Sequence, residues 1–414
     1  MTIDNWRLAE GLGSRQSAIG NPRERASASI DSTVLFVVVT LVLIGVTLVY
    51  ATTCHRGISF LKSQGLRAGV GLVALFLGAK IRYTTWNRRV KWVMLIGAAA
   101  VLILTLVVGL MFKDVKRALG SGAFSFQPAE FAKFALLVWL AGYFDWVKKN
   151  GLERSFRWAA ALPGLAVFGV VGLTLAQPAV GTSFIVVVAS MAVFVVAGVR
   201  WWHLLVLFAI GVVLFVLAIT CIPYARDRWN KFRNGKHHQQ EQSLIAIGSG
   251  GPFGRGLGES RQKYQFLPKM HNDFIFAEIG EEFGFIGSVA VCLLYLILFL
   301  YGMKISGETS SAFGQYLASG ITFVIFLYAV VHVAVSLGLI PTTGQPLPFV
   351  SSGGSALLSN LFAAGILLNI SRFKRTRTVV NLPPSPRNRV FPVGRPSGPA
   401  RHKVLVLGRF GGKA

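Results

Sequence analysis

The chain has 414 residues, of which 53% are hydrophobic and only 14% charged, with a net charge of +26 and a mean hydropathy of +0.58. A soluble fold of this length could not bury so much apolar surface, so the composition excludes a soluble globular enzyme and points to a polytopic membrane protein. Three cysteines, Cys54, Cys221 and Cys292, are too few and too scattered for a disulfide framework or a metal site and read as apolar packing residues.

The first segment, 1–32, is polar and basic (Arg7, Arg15, Arg23, Arg25), and no short cleavable apolar core precedes the first long apolar run. The fold class expected is all-α, with about ten transmembrane helices near 33–53, 66–81, 91–112, 128–144, 158–176, 182–199, 202–222, 283–303, 314–338 and 355–370. The membrane domain is thus 33–370, with a large extracytoplasmic loop at 223–282 between helices 7 and 8. The short loops at 82–91 and 145–157 are basic, and the tail 371–414 carries eleven Lys or Arg and no acid. Positive charge collects on the cytoplasmic side, so both termini are expected there, in a multi-pass cytoplasmic (inner) membrane protein. The tail is proline-rich and reads as disordered. Its charge suits anionic lipid beside a membrane, and no nucleic-acid partner is expected.

Most of the unusual polar residues fall on the opposite, outer face. After the third span, Gln127-Pro128-Ala129-Glu130 opens a helix, with proline at its first position and a carboxylate in its first turn. Lys133 lies one turn deeper, as an internal partner of Glu130 or as a cation held for an anionic substrate. Gln177-Pro178-Ala179-Val180-Gly181-Thr182 makes a tight turn after the fifth span. Pro341 to Ser355 contains three prolines, three glycines, five hydroxyl residues and no charge. Such a loop either caps the bundle or offers N–H and hydroxyl groups to phosphate or sugar oxygens.

The large loop carries Arg226, Arg228 and Lys263 and a glycine-rich run, Gly248 to Gly258. That run reads as a mobile loop or as backbone that approaches a diphosphate. Within 269–284 stand His271, Asp273, Glu278, Glu281 and Glu282, an unusual density of ionisable groups beside an apolar run. Asn272 or Asp273 is placed to cap the eighth span. On a helix, Asp273, Ala277 and Glu281 share a face and Glu278 neighbours Glu281 and Glu282. Such clustering near low dielectric raises carboxyl pKa values and suits proton abstraction or a divalent ion on a diphosphate.

Four stretches together resemble the SEDS family (shape, elongation, division and sporulation) of membrane glycosyltransferases over about residues 33–370. They are Gln127-Pro128-Ala129-Glu130 with Lys133; Gln177-Pro178 with Gly181-Thr182; His271 to Ala277 with Gly280-Glu281-Glu282; and Pro346-Leu347-Pro348 with Ser351 and Gly353-Gly354-Ser355. Gly254-Arg255-Gly256-Leu257-Gly258 and Thr343-Gly344-Gln345-Pro346 look like the division branch, and septal wall synthesis is the implied process. The resemblance implies polymerisation of lipid II into peptidoglycan strands with release of undecaprenyl diphosphate. Asp273 is the implied catalytic base. Glu130, Lys133, Gln177, Arg226, Arg228, Lys263, His271, Glu281, Ser351, Gly353, Gly354 and Ser355 are the implied substrate-binding residues. It also implies a class B penicillin-binding protein (a transpeptidase) and other division proteins as partners. No protein metal site is expected, and a divalent cation such as Mg2+ is the one cofactor considered. Three departures stand out: Ala179 where the family has aspartate, a shortened 113–127 loop without its tryptophan, and Ser352 where an aromatic is usual. The alternatives are a lipid II flippase, which should carry polar residues deep in its spans and on both faces, and a non-catalytic division scaffold.

Overall fold

The computed structural model describes residues 29–53, 58–87, 89–112, 126–235, 238–260 and 270–374. The Lys263 position, the shortened loop at 113–125, the N-terminal segment to residue 28 and the tail beyond 374 lie outside the described residues. Within them the structure is helical. α1 is Ser32–Thr53, α2 Ile58–Lys80, α3 Val90–Phe112, α4 Pro128–Lys149, α5 Leu162–Ala176, α6 Val180–Val196 and α7 Trp201–Cys221. α8 is Pro223–Arg233, α9 His238–Gly250, α10 Met270–Asp273, α11 Ile275–Glu308, α12 Ala312–Ser336 and α13 Gly354–Ser371. One π-helical turn, Arg157–Ala161, leads into α5.

Each of the ten predicted spans coincides with a helix. Among the described residues seven are long and apolar enough to cross a membrane: α1, α3, α5 with its preceding turn, α7, α11, α12 and α13. α6 is apolar but has 17 residues. α2 carries Lys62, Arg67 and Lys80, and α4 carries five charged residues, including Glu130 and Lys133. The second helix begins at Ile58, eight residues before its predicted start, because Lys62 and Arg67 are accommodated within it rather than ending it. α1 is capped by Asp31, whose Oδ1 accepts the N–H groups of Thr33 at 3.1 Å and Val34 at 3.2 Å.

α12 is the central helix, packed on α11, α4, α6 and α13. α2 lies so close along α13 that a Cβ on Gly78 would sit 2.5 Å from the Phe362 carbonyl oxygen, and one on Gly365 would sit 2.1 Å from that of Leu75. Small residues permit this backbone-to-backbone approach, which supplies dispersion where lipid gives no hydrophobic drive. α7 stands at the margin, with most of its apolar residues exposed.

The predicted eighth span differs most from expectation. α11 begins at Ile275 and is broken at Gly284, whose φ of 67° and ψ of −161° are not helical. Across the break the glycine-rich run takes over the helix's hydrogen bonds. Arg255 and Gly256 donate to the Glu281 and Glu282 carbonyls at 3.0 and 3.1 Å, while Phe285 and Ile286 donate to Gly251 and Pro252 at 2.9 and 3.2 Å. The run therefore splints a broken helix, and these N–H groups are spent on protein rather than on a diphosphate.

Candidate functional site

The loop from Pro341 to Gly353 is the hub of the site. It is non-helical backbone against the bundle, so its carbonyls need internal donors. Each comes from a different helix. Gln240 of α9 donates to the carbonyl of Ile340, which leads into the loop, at 2.7 Å, Arg228 of α8 to Thr342 and His332 of α12 to Gln345 at 2.8 Å. Tyr295 of α11 donates to Pro348, and Arg67 of α2 to Ser352 at 3.0 Å. α1 approaches as well: a Cβ on Gly45 would lie 2.5 Å from the Val350 carbonyl oxygen. The loop's shape is thus dictated by six helices far apart in sequence.

Asp273 is brought to this loop by its neighbour. Ser351 Oγ accepts the Leu347 N–H at 2.9 Å and donates to the Asn272 carbonyl at 2.8 Å. Asn272 Nδ2 donates to Asp273 Oδ1 at 2.8 Å, which orients the carboxylate. Asp273 Oδ2 and Arg228 Nη1 both flank Gly344, lying 4.0 and 3.9 Å from where a Cβ on that residue would sit. Both side chains are half-buried, and Gly344 is exposed with a φ of 66°. Arg228 is steadied further by the Tyr224 ring, 4.6 Å from its guanidinium carbon and one turn away on α8.

Beside Arg228 opens an apolar cavity of about 290 Å3, lined among others by Phe184, Phe215, Tyr224, Trp229 and Thr342. A second apolar cavity of about 340 Å3 lies between α6 and α7 and shares Phe184 and Phe215 with the first. The arrangement therefore offers a carboxylate that can accept a proton, a guanidinium that can meet an anion, and adjoining apolar space.

The other predicted residues fall into distinct groups. Ser351, Gly353, Gly354 and Ser355 belong to the hub loop and the start of α13, and Gly353 lies against Asn272. Arg226 is on α8 and exposed, and His271 sits in α10. Glu130 and Lys133 form the internal pair: 2.6 Å apart, both buried, with Tyr328 donating to Glu130 at 3.2 Å and its ring 3.9 Å below the ammonium. Gln177 is fully buried and donates to the Leu102 carbonyl at 2.9 Å, tying the turn after α5 to α3. Glu281 is engaged by the glycine-rich segment: its carboxylate accepts Ser260 Oγ at 2.6 Å and lies 4.0 Å from Arg255. Glu282 accepts the Gly258 N–H at 3.0 Å. Glu281 and Glu282, predicted to neighbour Glu278 on a helix, also anchor the glycine-rich run. Nor does Asp273 or Asn272 cap α11, because Phe274 occupies the cap position without a side-chain bond.

Sequence reasoning missed Arg67, His332 and Tyr295. His332 is the one histidine in a helix that has no Asp, Glu, Lys or Arg, and that is the signal that marks it. Cys221 and Cys292 are free and exposed, and Cys54 lies outside the described residues. Ala179 is buried before α6, its carbonyl accepting the Ser183 N–H at 3.0 Å.

Comparison with known proteins agrees with this architecture. Residues 29–376 match the family described as "Cell cycle protein", FtsW/RodA/SpoVE. Stage V sporulation protein E of Bacillus subtilis is 38% identical over 359 residues, 82% of this chain and 97% of that protein. A probable peptidoglycan glycosyltransferase FtsW of Trichlorobacter lovleyi is 35% identical over 365 residues, 83% of this chain and 93% of that one. The crystal structure of the rod shape determining protein RodA of Thermus thermophilus superposes with a TM-score of 0.64 at 28% identity, covering 84% of this chain and 99% of that one. A chain solved in a study of polymerization and crosslinking by a peptidoglycan synthase complex superposes with a TM-score of 0.68 at 27% identity, covering 83% and 98%. The chain belongs to the FtsW/RodA/SpoVE family of membrane-embedded cell cycle proteins.

Proposed function

We propose that this protein is a peptidoglycan glycosyltransferase that polymerises lipid II into glycan strands. The observation that carries the reading is the placement of Asp273 and Arg228 on either side of Gly344, at an apolar cavity. Asp273 takes the proton of the acceptor GlcNAc 4-hydroxyl as that oxygen attacks C1 of the donor MurNAc. The configuration inverts and undecaprenyl diphosphate leaves. A positioned base contributes roughly 10²–10⁴-fold. Arg228 meets the diphosphate charge, with Arg226, which is exposed, and also Lys263 as further cations, and the adjoining apolar space suits the start of the prenyl chain. Lys133 is closed in its pair with Glu130 and serves the fold of the site. Among the described residues no three His, Cys, Asp or Glu side chains are grouped to hold a metal. A divalent cation such as Mg2+ would supply charge neutralisation at the diphosphate, and chelation with EDTA tests its use.

The orientation that fits has both termini cytoplasmic and the 223–282 segment outside, supported by the charge bias of the short loops. A class B penicillin-binding protein that cross-links the new strand is the partner, by analogy with the peptidoglycan synthase complex that contains a similar chain. The process is septal wall synthesis. A sporulation role is the second reading, favoured by the 38% identity to Stage V sporulation protein E, and a fluorescent fusion present at septa of non-sporulating cells decides between them. The test of the activity itself is polymerisation of labelled lipid II by the purified, partnered protein. Strands from wild type and none from Asp273→Asn support it. Equal polymer from both removes Asp273 from the chemistry, and no polymer from folded, partnered wild type favours transport or scaffolding.

A further inference from the structure

His332 lies within α12, 1% exposed. Its Nδ1 is 2.8 Å from the Gln345 carbonyl oxygen. A carbonyl only accepts, so Nδ1 carries the proton and, in the neutral ring, Nε2 holds the lone pair. Among the described residues Nε2 is buried and meets no hydrogen-bond partner. The imidazole thus spends its single bond on the hub loop.

From Gln345 the contacts continue inward. Its side-chain amide meets the Thr182 hydroxyl through two contacts of 3.2 and 3.4 Å, while Tyr328 stands one helical turn before His332 on α12 and so shares its face. Tyr328 donates to Glu130 at 3.2 Å, and Glu130 holds Lys133 at 2.6 Å. All six side chains are buried. Gln345 is also the residue after Gly344, which Asp273 and Arg228 flank. A displacement of Gln345 would therefore be passed to both.

We propose that His332, Gln345, Thr182 and Tyr328 are positioning residues that tie the Pro341–Gly353 loop to the buried Glu130–Lys133 pair and so hold Asp273 and Arg228 in register. None of them needs to touch substrate. The proposal rests on the glycosyltransferase reading for its kinetic consequence, but the coupling itself is independent of activity.

The test compares three substitutions in the full-length, partnered protein. His332→Asn keeps an N–H donor near the Nδ1 position, His332→Gln moves the donor towards Nε2, and His332→Ala has none. In lipid II polymerisation, His332→Ala and His332→Gln should lower kcat by about tenfold or more with KM within about twofold, since small misplacements of reacting groups are costly. His332→Asn should stay within about threefold of wild type, as the bond to Gln345 is kept. In parallel, hydrogen–deuterium exchange of the 342–353 backbone should rise in His332→Ala and His332→Gln and stay at the wild-type level in His332→Asn. If His332→Asn is as impaired as His332→Gln, or all three behave as wild type in exchange, the proposal is overturned. Should the wild type make no glycan, the glycosyltransferase reading fails while the exchange pattern still decides the coupling. If the histidine variants do not fold, Tyr328→Phe removes one link without removing bulk and should show the same rise in exchange; unchanged exchange there overturns the proposal.

Discussion

Glu130–Lys133 and Asp273–Arg228 each bring an acid and a base to one bundle, but in different settings. The first pair is in direct contact at 2.6 Å and both side chains are 1% exposed. The second is half-buried, and its members are oriented by neighbours: Asn272 on Asp273, and the Thr342 carbonyl and Tyr224 ring on Arg228. The difference follows from desolvation. A charge enclosed among helices must be matched on the spot, whereas a charge at a cavity mouth keeps part of its hydration until a substrate replaces it. On the proposed function, the buried pair shapes the site and the half-buried one faces the chemistry.

The comparison breaks most visibly at Asp273. Asp273→Asn keeps the size and the Asn272 neighbour but removes the base. Polymerisation of lipid II should fall by roughly 10²–10⁴-fold with thermal stability unchanged. Lys133→Met should do the reverse, leaving Glu130 enclosed without its cation and costing about 3–5 kcal/mol of stability. Adding Glu130→Gln to Lys133→Met should recover much of that loss, and a thermal unfolding series across the three variants reads the coupling directly. Arg228→Ala removes an anion partner and the donor to Thr342. A loss of about 2–3 kcal/mol in kcat/KM is expected, that of a hydrogen bond from a charged group, with stability changing less than in Lys133→Met.

Two glycines sharpen the same contrast between packed and open surroundings. A Cβ on Gly254 would fall 2.1 Å from the Glu282 carbonyl oxygen, at a φ of 82°. Gly254→Ala should therefore pull the splint from α11 and destabilise by about 1–3 kcal/mol, the range for strained backbone, read as a lower unfolding temperature. Gly344→Ala is the smallest expected effect. Its Cβ meets nothing closer than 3.9 Å, so only the positive φ opposes it, at about 1–2 kcal/mol.

Much of the fold was legible because membrane spans are local: about twenty apolar residues in a row need no knowledge of the partner helix. The breaks are less so. Gly284 looks like any glycine in an apolar run, and only the carbonyls exchanged with Gly251 and Pro252 reveal that the helix stops and restarts there. The site was legible in part for the same reason. Asp273 announced itself by sitting in an ionisable cluster, and Ser351 by its place in a loop of prolines and hydroxyls. Glu281 carried the same sequence signal but turns to Ser260 and Arg255, since a helix face says which residues are neighbours and not what the next loop brings to them.

By itself, then, the sequence determined that this chain lives in a membrane and where its long apolar helices fall, but not the helices Pro223–Arg233 and His238–Gly250 inside the stretch read as a loop, because hydropathy and charge act over a few neighbouring residues. Only the tertiary structure decided which charges are consumed internally and which are presented. Lys133 was paired by a side chain three residues away and then sealed by Tyr328 from α12. Arg228 was held to Thr342, 114 residues on, and Asp273 was set beside a loop fixed by six helices. Contacts at such separations exist only once the bundle has closed, since each depends on where the backbone of another segment has come to rest.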